Sequence, residues 1–141
     1  MRTEHWEGAL AEHLRVEIAK PFAWGEHDCA LFTCGVIRLL TGTDPAAEFR
    51  GTYTTARGAA KVIRTAGGGD LGDLASQLAA RHGFAEVAPL FARRGDVVLV
   101  QTSAGFALAV VDLDGTHALA PGVEAAVRVP LAECRRAWRI A

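Results

Sequence analysis

The sequence predicts an α+β domain, with N-terminal helices packed on a small antiparallel sheet formed by the second half of the chain. Three observations lead there. Up to about residue 81 the apolar residues recur at helical spacing. After Pro89 they fall into short β-branched runs. The dipeptide Asp114-Gly115 between two such runs is a strong hairpin turn. At 141 residues the chain has the size of one ordinary domain, 1–141, with no repeat or linker.

Each element has its own signal. Trp6, Leu10, Leu14 and Ile18 make one apolar stripe on a helix over Thr3–Ala19, with Glu4 and Glu7 suited to its positive end and Pro21 beyond it. Pro21–His27 is then a loop. Asp28 is the expected N-cap of a second helix to Thr41, closed by Gly42; only Arg38 among its central residues is charged, so it reads as buried on most sides. Asp44-Pro45 opens a surface loop containing Phe49 and Tyr53. A third helix starts at Thr54 or Thr55, turns Val62 and Ile63 inward and ends at Gly67-Gly68-Gly69; a fourth spans Leu71–Arg81. Val97–Val100, Phe106–Val111, Thr116–Ala120 and Val123–Val129 are the expected strands. Leu131–Arg136 holds a helical turn, and Trp138–Ile140 is expected as a closing edge strand.

Composition narrows the function classes. Fifteen Lys+Arg against sixteen Asp+Glu give a net charge of −1, which offers no electrostatic case for nucleic acid or an anionic membrane. No apolar run spans a bilayer, and Met1–Arg15, broken by three glutamates and two histidines, does not read as a secretory signal. Cys29, Cys34 and Cys134 are an odd set at no metal-like spacing, so neither a disulfide framework nor a metal or other cofactor is expected.

The most informative stretch is Phe22-Ala23-Trp24-Gly25-Glu26-His27-Asp28-Cys29. It puts a cysteine in the first turn of a buried helix, where unpaired N–H groups and the dipole favour a thiolate. Read alone, Cys29 is equally a small core residue. His27 could raise local positive charge but is badly placed to face the thiol; it reads better as a loop residue bonding the backbone near the helix start. His117 is the better base if the hairpin register permits, or an ordinary half-buried strand histidine. His5, His13 and His82 read as surface residues of helices. Trp6, Trp24 and Trp138 read as core or interface anchors, Asp96 as a turn former ahead of a strand, and Gly67–Gly69 as a helix end.

This stretch resembles the nucleophile motif of the NlpC-type, papain-like cell-wall cysteine peptidases: aromatic-x-Trp-Gly, a short loop, then Asp-Cys opening the helix. Arg94-Gly95-Asp96-Val97 matches their Gly-Asp before the first strand, and Phe106–Ala120 the following hairpin. The sequence is similar, over nearly its whole length, to short phage proteins encoded among tail genes. They share the Pro-Phe-x-Trp-Gly-x-His-Asp-Cys run, Thr41-Gly42-Thr43-Asp44-Pro45, Gly51-Thr52-Tyr53-Thr54-Thr55 and Cys134-Arg135-Arg136-Ala137-Trp138. The resemblance implies an NlpC-like domain in a phage or gene-transfer-agent tail tip, made in the host cytoplasm, with hub or fibre-base proteins as partners. It implies Cys29 as nucleophile and a histidine at the start of the second strand as base. Ser103-Ala104-Gly105-Phe106-Ala107 has no histidine there, His117 falls near the place of the orienting residue, and Phe22 replaces an oxyanion tyrosine. The expectation is a structural or catalytically degenerate tail-tip or baseplate component. The alternatives are an active peptidoglycan peptidase or amidase, with peptidoglycan as partner, and a thiol-dependent acyltransferase.

Overall fold

The computed structural model describes residues 1–141. Asp28 starts the central helix α2 (Cys29–Thr41): its backbone is extended and its side chain accepts from the Leu31 N–H at 2.9 Å. Gly42, at φ 82°, ends it in the left-handed region and returns its N–H to the Arg38 carbonyl. Seven of the thirteen α2 residues are buried, which makes it the hub of the helical layer.

Helix α1 (Trp6–Ile18) spans its apolar stripe and starts three residues after the expected Thr3. The reason is tertiary: Thr3 gives its N–H to the Leu40 carbonyl at the end of α2, and His5 turns left-handed (φ 58°) to enter α1. His5 therefore lies outside any helix, while Leu10 and Leu14 are buried as the stripe requires. Helix α3 (Ala56–Gly67) is capped by the Thr55 hydroxyl, which accepts from the Gly58 N–H. Its Val62 and Ile63 are only half-buried, because they line a cleft. Helix α4 (Leu71–Arg81) opens with a reciprocal capping box: Asp70 accepts from the Asp73 N–H and Asp73 from the Asp70 N–H.

The strands are β1 (Glu86–Val87), β2 (Val97–Thr102), β3 (Gly105–Val111), β4 (His117–Ala120), β5 (Val127–Pro130) and β6 (Arg136–Trp138). They form one antiparallel sheet in the order β1-β6-β2-β3-β4-β5. The closing strand is thus not an edge. The two-residue β1 covers it, and Ile140, expected within it, instead gives its N–H to the Asp96 carboxylate. The strand expected over Val123–Val129 is shorter because β4 ends at Ala120, before Pro121, which has no N–H to continue a ladder.

The sheet buries both faces. On the helix side Val97, Leu99, Leu108, Val110 and Trp138 join Leu10, Val36, Ile37 and Leu40 in one core. On the other side Val98, Val100, Ala109, Val111 and Ala118 pack under Ala92, Leu131 and Cys134. This explains why Val97–Val100 is continuously apolar rather than alternating.

Asp96 does more than form a turn. Fully buried, it accepts from Arg2 Nη2 at 2.8 Å, from the Ile140 N–H at 2.9 Å and from the Arg93 N–H at 2.8 Å. One carboxylate thereby ties both ends of the chain to the head of β2. No helix is long and apolar enough to cross a membrane.

Candidate functional site

The loop Pro21–His27 is pinched shut by paired backbone bonds between Ala23 and His27. Gly25 crosses it at φ 80°, with the Tyr53 carbonyl lying where a Cβ would project. Only glycine permits that approach, which accounts for the Trp-Gly pair. The approach places the loop around Asp28. The Asp28 carboxylate, buried, accepts from the Leu31 N–H at 2.9 Å, the Gly25 N–H at 3.0 Å and the Tyr53 hydroxyl at 2.6 Å. The Tyr53 phenol is held in its neutral form, first by burial and then by its bond to Asp28. The residue before the cysteine is therefore a structural clamp.

Cys29 is the first residue of α2 and packs against both faces' cores where the helix meets the sheet. Two influences oppose each other at its sulfur. Burial among apolar side chains disfavours the thiolate, and the neighbouring Asp28 charge adds to that. The backbone of Leu108 on β3, with those of Ala30 and Cys29, favours it. Burial wins, and the thiol is pushed up to about 11. Cys34 and Cys134 are also pushed up by burial, to about 12 and about 11. The head of the helix has not made Cys29 distinctive among the three.

The thiol opens on a cleft of about 430 Å³. Its walls include Trp24, Val62 and Ile63 of α3, Leu74 and Leu78 of α4, and Phe106 of β3. Every lining residue except Asp28 is hydrophobic, and Asp28 is already satisfied by its three donors. Apart from the Cys29 thiol and the Trp24 indole N–H, the cleft therefore presents no free polar side chain to a ligand, and no free charged one.

Neither candidate histidine enters it. The β3–β4 register pairs Val110 with Leu119 and Val111 with Ala118. Continued, it sets Pro121 opposite Leu108 and His117 beyond Val111, about 13 Å along the strand from Leu108 at the usual rise. His117, the first residue of β4, bonds instead into the β3–β4 turn: its Nδ1 lies 2.9 Å from Asp114 Oδ2, which also accepts from Arg128 Nη2 at 2.9 Å. The N–H groups of Thr116 and His117, with the ring of His117, hold the Asp114 carboxyl far below its ordinary range. His27 is buried with its Nδ1 3.6 Å from Glu17 Oε2 and its ring edge-on to Phe32. It lines a separate groove with His13, Glu17 and Arg38, between α1 and α2. No group of three or more His, Cys, Asp or Glu side chains converges as a metal site.

Two residues of the site escape sequence reasoning. Tyr53 reads as a loop aromatic, and only the fold carries its hydroxyl to Asp28. Phe106 shares a strand face with Leu108 and Val110, a parity visible in the sequence, and so points at the cleft mouth, 39% exposed. Phe22, where the resemblance has a tyrosine, packs edge-on against Trp24 at 4.9 Å.

Among protein families, residues 1–140 match one described as a domain of unknown function, DUF6950. No curated protein matches the chain, and no solved structure does.

Proposed function

The chain belongs to the DUF6950 family, and for it we propose a structural role in a phage-type tail tip or baseplate, on an NlpC-like, papain-like scaffold that has lost its chemistry. One observation carries the loss of chemistry: Cys29 is a neutral thiol in a cleft lined almost entirely by apolar residues, whose mouth holds Phe106 and no imidazole. With a pKa of about 11, about one thiol in ten thousand is ionised at pH 7. A missing base costs a further two to four orders of magnitude, roughly, in rate. The wall chemistry agrees. Peptidoglycan carries carboxylates and amines on its stem peptides and hydroxyls on its glycan strands, and the cleft has no uncommitted charged side chain to receive them.

The tail-tip assignment rests on the resemblance in the runs Pro21–Cys29, Thr41–Pro45, Gly51–Thr55 and Cys134–Trp138. The expected neighbours are the hub or fibre-base proteins of the tail. The test is a particle carrying Cys29→Ala: it assembles and infects as the wild type does, and the purified chain leaves muropeptides uncut. A particle that assembles normally but loses infectivity, or muropeptide cleavage that disappears with Cys29, would establish the active peptidase instead.

A further inference from the structure

At the opposite end of β2 from Phe106, the surface contradicts the usual economy of burial. Leu90 and Phe91 are each 71% exposed, side by side in a single turn of 3-10 helix, Pro89–Phe91. The turn does not hang loose. Its backbone is fixed by Phe91 N–H to the Ala88 carbonyl, by Ala92 N–H to the Pro89 carbonyl, and by Arg139 Nη2, which donates to the Phe91 carbonyl at 2.6 Å. Ala92, next in the chain, is buried. Two large apolar side chains are thus held outward on a rigid base, which lowers the entropy cost of using them in an interface.

The same stretch continues into Arg93 and Arg94, which line a concavity of about 740 Å³ with Arg2 and Trp6. Arg2 lies over the Trp6 ring at 4.3 Å and Arg94 at 5.7 Å. Four guanidinium groups, of Arg2, Arg93, Arg94 and Arg139, lie among three carboxylates, of Asp96, Glu7 and Asp114, the last lining the same concavity. Asp96 is buried under Arg2 with Arg139 at 3.7 Å, and Glu7 lies 3.7 Å from Arg94. Arg93 has no ion-pair partner. The positive charges of Arg93 and Arg139 act on Arg2 and help burial lower its pKa. Asp114 is taken up by Arg128 at 2.9 Å, so the unpaired Arg93 leaves a local positive charge beside the exposed apolar pair, in a chain of net charge −1.

We propose that Leu90–Arg94, with Arg139 and the concavity at Trp6, is a docking surface for a segment of a neighbouring protein that carries carboxylates around a large apolar side chain. Leu90 and Phe91 supply the apolar anchor, and Arg93 and Arg94 supply the charge. Aromatic and arginine side chains are the types that dominate interface energetics. The surface is independent of the Cys29 cleft, and this inference stands whether or not the thiol is inert.

The test is fluorescence anisotropy of the full chain against a panel of labelled peptides with Leu, Phe, Ile or Trp flanked by Glu and Asp. Control peptides carry Lys for the acids or Ser for the apolar residue. Saturable binding to acidic-apolar peptides is expected, weakened at least tenfold by Arg93→Glu and by Leu90→Ser/Phe91→Ser, and weakened by added salt. Arg93→Glu is the safer variant for folding, since Arg93 makes no side-chain bond, and thermal melts verify both. Absence of saturable binding across the panel, or binding unchanged in folded variants, would overturn the proposal. So would silence with every peptide while phosphatidylglycerol vesicles bind through Arg93, since that result assigns the surface to lipid.

Discussion

The Tyr53 hydroxyl donates a 2.6 Å hydrogen bond to the carboxylate of Asp28, the residue that begins α2 and directly precedes Cys29. It joins a loop to the helix head across 25 positions of sequence, and it supplies one of only three donors to a buried charge. Tyr53→Phe is expected to lower stability by about 1–2 kcal/mol, the usual cost of taking one hydrogen bond from a buried charged group. Urea unfolding measures it; an unchanged midpoint would show that Asp28 needs only its backbone donors.

Alkylation distinguishes an inert thiol from an activated one. With Cys29 pushed up to about 11 and Cys134 also to about 11, iodoacetamide is expected to label Cys29 no faster than Cys134 at pH 7, read by peptide mass spectrometry. Its labelling rate should climb until about pH 11. Labelling of Cys29 well ahead of both other cysteines at neutral pH contradicts the neutral-thiol reading.

Phe106→His places an imidazole at the mouth of the cleft, on the strand face that carries Leu108. A protonated ring near the sulfur favours the thiolate. The alkylation rate of Cys29 at pH 7 is expected to rise about tenfold, one unit of pKa, with those of Cys34 and Cys134 unchanged. If Cys29 does not respond, Phe106 does not face the sulfur closely enough to stand where a base would act.

The three thiols also set an alkaline limit on stability. All are raised above the ordinary value of 9.0 by burial, so folding favours their neutral forms. Above pH 9 the unfolded chain releases these protons before the folded chain does, so the unfolded state binds fewer protons and stability falls as pH rises. The contribution is fully present below pH 9 and is lost progressively toward pH 11–12. Cys34→Ala should flatten this fall in denaturation curves taken from pH 8 to about 11. An unaltered slope would mean that Cys34 does not contribute to it.

Asp96 and Arg2 should respond unequally to truncation. Asp96→Ala takes the only carboxylate from Arg2, 9% exposed at its side chain, and the acceptor from the buried Ile140 N–H and the part-buried Arg93 N–H, and is expected to cost about 3–5 kcal/mol. Arg2→Ala leaves Asp96 with both backbone donors and Arg139 nearby, so about 1–3 kcal/mol is expected. Thermal unfolding of the two variants measures the difference. Equal losses would mean that the guanidinium alone holds the two ends of the chain.

The elements most legible in the sequence are those whose signals are local. Asp28 and Gly42 bound α2, Thr55 caps α3, and Asp114-Gly115 turns β3 into β4, because caps and tight turns are decided within three or four residues. The placement of Cys29 at a helix head follows from the same local rule. The two-residue β1 carries no such signal, so from the sequence the closing strand reads as an edge, whereas β1 covers β6 in the sheet. Which of the two readings of His117 holds, a base or an ordinary half-buried strand histidine, is not legible for a related reason; it is the second. A strand's face can be read from parity, but its partner four residues along is fixed only by the register of β3 on β4.

By itself, then, the sequence determined the α+β layout, the ends of α2 and the position of the sulfur along the chain. The tertiary structure alone decided the state of that sulfur. Helix-end N–H groups act over a few ångströms and come with the local sequence. Desolvation is set by whatever packs around the thiol, and here Ile63, Leu74 and Phe106 arrive from 34 or more positions away to make the walls apolar.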